Sequence, residues 1–240
     1  MRTKGCNVST RDATVIAYYD STKPSVLEAY IAHVQQWLVE RIPSFVARSM
    51  PEVHATIIGL ESYGSVPTDA EQPELAELGG EMGLPALCQY LGSSIEASSM
   101  AVQFGGFLDR DYAIASRDKR LFDRTVTAHR GQLMLLGWPV AESGEPTEFF
   151  DEIRRGAQQF GATHRYYQVP TDKDPDAYMV IGTTGELADQ DMVEVARLRN
   201  ELAMSSCRTP LEAGSLQVAT YDDSRLPRSS TRTWPLSTFM

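Results

Sequence analysis

The chain has 240 residues, 42% of them hydrophobic, with 22 Lys and Arg against 32 Asp and Glu and a formal net charge of −10. That length is enough for a full hydrophobic core in one domain or in two fused half-domains. The negative balance argues against a non-specific grip on DNA or RNA backbone, which needs clustered Lys and Arg, and no run of about 18 apolar residues is present to span a bilayer.

In chain order, the opening MRTKGCNVSTRDATVIAYYD has basic residues but no apolar stretch after them, so no leader is expected. Its TVIAYYD segment, Thr14 to Asp20, reads as a short strand. KPSVLEAYIAHVQQWLVERIP follows with Pro24 near its start and Val26, Tyr30, Val34 and Leu38 at helical spacing, which predicts an amphipathic helix. His33 on that helix reads as a structural or surface residue, since nothing nearby needs a base. After an extended FVARSMPE comes VHATIIGLES, a strand whose period of two puts His54, Thr56 and Ile58 on one surface and Val53, Ala55 and Ile57 on the other. The stretch from Glu61 to Gly83 is rich in Pro, Gly and acid and reads as a surface loop or short helix; PALCQYLGSSIE then reads as helical.

SMAVQFGGFLD and GQLMLLGWPV read as two buried strands joined by the Arg-containing RDYAIASRDKRLFDRTVTAHR. A helix is predicted from Thr147 to Phe160, with Thr147 as N-cap and Phe149, Phe150, Ile153, Ala157 and Phe160 inward. DAYMVIGTTG reads as a strand, DQDMVEVARLRNELAM as a helix turning Met192, Val195, Leu198 and Leu202 inward, and SLQVATYDD as a last strand before a Pro, Ser and Arg-rich tail at 226–240. The repeated strand, helix and strand order predicts one α+β domain over 1–240. Two βαβ-like halves, about 12–95 and 96–225, are expected to form a curved, mainly antiparallel sheet with a central groove and helices outside.

Cys6, Cys88 and Cys207 are odd in number and far apart, which fits reduced thiols and a cytoplasmic setting. Neither CxxC pairs nor HxxxH spacing among His33, His54, His129 and His164 supports a metal centre, and no cofactor is implied. DKDPD has the alternating acids of a calcium loop at Asp172, Asp174 and Asp176. Ala177 stands where such a loop needs Gly, so an acidic turn is expected instead. GxSxG and P-loop motifs are absent.

A strand-borne imidazole beside a hydroxyl suits proton transfer next to a phosphoryl oxygen, although a His capping a sheet edge beside a β-favouring Thr would look the same. The arrangement of MPEVHATIIGLES after an amphipathic helix resembles the first half of the 2H phosphoesterase superfamily, which includes 2'-5' RNA ligase-like proteins and cyclic nucleotide phosphodiesterases. Its signature is His-x-Thr or His-x-Ser, twice, on strands facing each other across a groove. HATI with the following IGLE matches the first copy. No second copy is present. PDAYMVIG falls in its place, with Asp176 and Tyr178 where the family has His and Thr, and SLQVATYDD is the alternative position.

The resemblance implies metal-independent hydrolysis of a small cyclic phosphodiester or of an RNA end with a 2',3'-cyclic phosphate. His54 is then acid or base and Thr56 a phosphate ligand; Asp176 and Tyr178 form the altered second pair, and His164 in THRYYQ is a further candidate. Arg117, Arg120 and Arg124 belong to a local excess of cations that could hold phosphate, although interleaved acids also fit a salt-bridged loop. The competing expectations are a binding module that retains a phosphorylated ligand without turning it over, and a groove with a different chemistry.

Overall fold

The computed structural model describes residues 10–64, 66–67, 71–80 and 83–240. Cys6 and parts of the 61–83 stretch lie outside them. Among the described residues, eleven strands form one antiparallel sheet, whose main path runs β11-β10-β1-β3-β8-β7-β5-β9. Of these, β1 is Thr10–Ala17, β3 Ala55–Gly59, β5 Ala101–Gly105, β7 Gln132–Val140, β8 Ala177–Thr183, β9 Ser206–Pro210, β10 Leu216–Tyr221 and β11 Arg232–Pro235. Three short strands join at the side: β2 (Val46–Ala47) on β8, β4 (Val66–Pro67) on β1 and β6 (Val126–His129) on β7. The helices are α1 (Ser25–Arg41), α2 (Gln72–Ala76), α3 (Leu84–Ser98), α4 (Leu121–Arg124), α5 (Phe149–Gly156) and α6 (Asp189–Ala203). The α+β class and antiparallel sheet expected from the pattern are what the chain forms. Among the described residues no helix is long and apolar enough to cross a membrane.

Alternation along the strands separates two surfaces. Val15, Ala17, Ala55, Ile57, Leu133, Leu135, Ala177, Met179 and Ile181 join the main core with the inner stripes of α1, α3, α5 and α6. Most of their alternates point the other way and build two smaller apolar clusters, one around Leu136 and Trp138 and one around Ile16 and Ala219. Ile58, expected on the surface of His54 and Thr56, instead joins the main core, because the register of β1 on β3 shifts between Val15 and Ile16. Between those clusters lies a groove of about 790 Å³, within the usual size of a small-molecule site.

The middle of the sheet is thinly joined. β3 and β8 share a single registered backbone pair, Ala55 with Met179. Arg154 of α5, fully buried, takes over the missing donors. Its guanidinium donates to the carbonyls of Ile57 at 2.7 Å and Thr56 at 3.1 Å on one strand, and to those of Asp174 at 2.5 Å and Asp176 at 3.0 Å on the approach to the other. One side chain thus ties together the two segments that carry the motif residues.

Several expectations are corrected. Val26 is 54% exposed and Met192 43% exposed. In α1 the inner stripe is Leu27, Tyr30, Ile31, Val34 and Leu38, one position on from Val26. In α6 Asp191 takes the inward place of the first turn, where its carboxylate accepts the Ala188 N–H at 3.0 Å. The N-cap position of α5 belongs to Glu148, while the Thr147 hydroxyl donates to Pro139 O at 3.3 Å. That helix ends at Gly156 and continues as a 3-10 turn in which Phe160 is only partly buried.

SLQVATYDD does not belong to the second half, because β10 pairs with β1 of the first. Nor is 226–240 a tail, because β11 pairs with β10 and the following turn buries Leu236 and Phe239. Gly92 of α3 admits that turn: a Cβ there would lie 2.9 Å from Met240 Cε.

Candidate functional site

The groove floor is built from β1, β3, β8 and β7, and its residues arrive there by register. Ala55 opposite Met179 places Thr56 across from Tyr178, and β8 carries Tyr178 on to face Leu136 of β7. His54 precedes β3 at the same groove, behind the 3-10 turn Met50–Glu52. That turn brings Glu52 O to 2.8 Å from His54 Nδ1, and since a carbonyl only accepts, the proton is on Nδ1 and Nε2 carries the lone pair. The ring is 7% exposed and meets Tyr19 edge-on at 5.9 Å. Burial, followed by the charge of Arg48, lowers its pKa to about 3, so His54 is neutral near pH 7.

Arg48, which the sequence did not single out, is fixed by its backbone. Its N–H donates to Ile181 O at 2.9 Å, and its carbonyl accepts from Gln35 Nε2 at 2.8 Å. The side chain lines the groove with Nε and Nη2 buried and without partners. Buried donors left unpaired are uncommon and costly, so this guanidinium is set up for an acceptor. Burial lowers the pKa of Arg48, with Glu52 and Asp223 opposing the shift.

The second half of the expected pair is arranged differently. Asp176 is fully buried and its carboxylate is occupied: Trp138 Nε1 donates to Oδ1 at 2.8 Å, and Ser116 Oγ and Arg124 Nη2 each donate to Oδ2 at 2.8 Å. The carboxylate expected to act as a free base is thus engaged by three protein donors and ties the start of β8 to Ser116, Arg124 and Trp138. His164 is also buried. Its Nε2 donates to Asp174 Oδ2 at 2.8 Å, and the same oxygen accepts from Arg117 Nη2 at 3.1 Å. Burial lowers the His164 pKa, with the Asp174 hydrogen bond opposing it. Burial pushes Asp174 upward, but His164, Arg154 and Arg117 outweigh it and hold that carboxyl below its ordinary range. Asp174 and Asp176 of DKDPD are therefore buried acidic anchors on which cations from separate segments converge, while Asp172 accepts the Gln168 and Val169 N–H groups of its own turn.

The arginine expectations divide. Arg117 and Arg124 line the groove but are engaged by Asp174 and Asp176. Arg120 bonds Asp109 and Asp123 and is not among the lining residues, so its assignment to ligand is corrected to a surface ion pair. His33 pairs with Glu201 at the surface, as its position on α1 implied. Among the described residues, Arg48, Lys119 and Arg130 line the groove with no carboxylate within 4.0 Å. They concentrate positive charge on one face of an acidic chain. Arg130 sits with Gly131 in the two-residue turn between β6 and β7, at φ of 50° and 73°, the left-handed pair such hairpins require.

No family model matches the sequence, and no curated protein sequence matches it. Among solved structures, the crystal structure of TT0787 of Thermus thermophilus is similar over 93% of this chain and 93% of its own, at 10% identity and a TM-score of 0.39. Likeness at that level is too loose to fix a shared topology.

Tyr178 is half-buried, stands across from Thr56 by register, and meets the Tyr166 ring edge-on. Tyr166, absent from the sequence expectations, lies under two guanidinium groups, with Arg117 Cζ 4.2 Å and Arg165 Cζ 5.0 Å from its ring centre. Neither Arg48 nor Tyr166 belongs to a motif. Arg154 did leave a trace: it shares the inner stripe with Phe150, Ile153 and Ala157, a cation where spacing demands an apolar residue.

Proposed function

We propose that the chain is a metal-independent phosphodiesterase of the 2H type, acting on a small cyclic phosphodiester or on an RNA end carrying a 2',3'-cyclic phosphate. The observation that supports this reading is the pairing of Arg48, with two buried donors unpartnered, and neutral His54 with its Nε2 lone pair free. A phosphoryl oxygen on the Arg48 fork satisfies those donors, and the Thr56 hydroxyl can take a second oxygen. An anion there also cancels the cationic field that helps depress the His54 pKa, so substrate raises His54 toward the range useful for a general base. His54 Nε2 then receives the proton of the attacking water. Buried free thiols at Cys88 and Cys207 fit a cytoplasmic setting.

Turnover of 2',3'-cyclic and 3',5'-cyclic nucleotides and of short RNA with a cyclic phosphate end, measured in EDTA, tests the reading. The wild type is expected to form product, and His54→Ala to form it at least about a hundredfold more slowly. Binding without turnover, lost on Arg48→Gln, would instead establish a binding module on the same groove, a reading favoured by the occupied carboxylate of Asp176.

Affinity separates the cations. Losing a charge-assisted hydrogen bond costs about 1.5–3 kcal/mol, so Arg48→Gln should weaken binding of a non-hydrolysable cyclic phosphorothioate by roughly tenfold or more. Arg120→Ala should leave it within about twofold, because Arg120 is spent on Asp109 and Asp123. Equal effects of the two substitutions, read by calorimetry, would remove Arg48 from the site.

A further inference from the structure

We propose that Tyr166 is the general acid of this groove, donating its phenolic proton to the leaving oxygen while His54 receives the proton of the attacking water. The assignment rests on the phosphodiesterase reading above and fills a place that reading leaves open. Two-sided proton transfer needs a donor opposite His54, and the residues in the second-motif position do not provide one. The Asp176 carboxylate is fully engaged, and His164 is buried with its Nε2–H committed to Asp174.

Tyr166 is half-buried and lines the groove. Its hydroxyl accepts from Arg165 Nη2 at 3.0 Å, and its ring stands edge-on to Tyr178 with centres 6.0 Å apart at 88°. Tyr178 faces Thr56 across the seam, one same-face position along from His54. Two residues of strand are about 7 Å, so His54 and the tyrosine hydroxyls bracket the space over Thr56 where a phosphoryl group would lie.

The surroundings of Tyr166 suit the charge it would acquire. A phenolate formed there keeps the Arg165 hydrogen bond and lies against two guanidinium groups. Asp174 holds Arg117 in place and is itself held by His164, which makes His164 a positioning residue rather than a proton donor. Burial alone would raise the Tyr166 pKa, but Arg165 and Arg117 outweigh it and bring it below the ordinary value. Tyr178 is pushed up by burial and by the neighbouring Tyr166 charge, so of the two phenols Tyr166 is the readier donor.

The step balances without a metal or redox partner. Water oxygen bonds to phosphorus as its proton passes to His54 Nε2. The bond from phosphorus to the leaving oxygen breaks, and that oxygen takes the Tyr166 proton, giving a phosphomonoester and an alcohol. The imidazolium proton then returns to the phenolate through solvent.

The test compares two substrates on wild type and Tyr166→Phe, a change that keeps the ring under both guanidiniums. One is a cyclic nucleotide, whose leaving alkoxide needs a proton; the other is a p-nitrophenyl phosphodiester, whose leaving group departs as a stable phenolate. Tyr166→Phe should lose about a hundredfold or more in kcat on the first and stay within about threefold on the second, with the alkaline limb of the kcat profile abolished. Equal losses on both substrates, or none, would overturn the assignment while leaving the phosphodiesterase reading intact. A leaving-group-dependent loss in Tyr178→Phe, or in His129→Ala at the end of β6 where His129 also lines the groove, in place of Tyr166→Phe, would overturn it too. Wild type inactive on every diester would sink the phosphodiesterase reading, and this inference with it.

Discussion

Arg154→Leu should lower the free energy of unfolding by about 3–5 kcal/mol, the usual cost of removing one partner from a buried charged network. Leucine fills much of the volume, so the loss is electrostatic. Four backbone carbonyls, those of Thr56, Ile57, Asp174 and Asp176, lose their donor where the sheet offers none in exchange. Each orphaned buried acceptor costs about 1–3 kcal/mol unless water reaches it, and the Asp174 carboxylate, 4.0 Å away, loses a compensating charge as well. Arg154→Lys keeps the charge but not the fork, so it should recover only part of the loss. Urea denaturation monitored by tryptophan fluorescence measures both variants. A Leu variant within about 1 kcal/mol of wild type would mean that the seam does not depend on this side chain.

The second large effect is acid sensitivity. His54 has a folded pKa of about 3, against an ordinary value of 6.5. The unfolded chain therefore binds a proton that the folded chain refuses. For a base depressed in this way, stability is full above pH 6.5 and declines as pH falls toward 3, by about 1.4 kcal/mol per pH unit. Between pH 7 and pH 4.5 the loss from His54 alone is about 2–3 kcal/mol. His164, lowered by burial, adds in the same direction. Asp174 acts lower down: its carboxyl is depressed, so its contribution persists until pH falls below the ordinary carboxylate range. Unfolding free energies at the two pH values, for wild type and His54→Asn, isolate the His54 share. The variant should show a shallower decline by that amount, and an identical decline in both proteins would rule out a neutral buried His54.

The sheet was legible where the period of two was clean. VHATIIGLES and DAYMVIGTTG both place their odd residues in the core, and His54, Thr56, Asp176 and Tyr178, all even, come to one floor. Ile58 crosses to the core where the β1–β3 register shifts, a break that alternation does not encode. What local pattern does not encode is what surrounds a side chain. Asp176 looks like a free carboxylate until Ser116, Arg124 and Trp138, all distant in sequence, are brought onto it. Arg48 stands in an unremarkable extended piece and acquires its place only through Gln35 and Ile181. SCRTP at β9 and RTWP at β11 are short, polar and Pro-bearing, and form strands because a neighbouring edge is available to pair with. The helix stripe that spacing starts at Val26 begins one position later at Leu27, while Tyr30, Val34 and Leu38 fall on it as expected.

The placement of β10 and β11 beside β1 has a consequence for how the protein is made. β1 lies between β3 and β10, so the half of the sheet that begins at residue 10 is finished only by residues 216–235. During synthesis that half cannot close as it leaves the ribosome. β1 waits with one edge of N–H and C=O groups unpaired and with Ile16, a residue its completed cluster buries, open to water. Nascent chains ending anywhere short of Tyr221 share this sticky edge, and β10 is the segment that seals it.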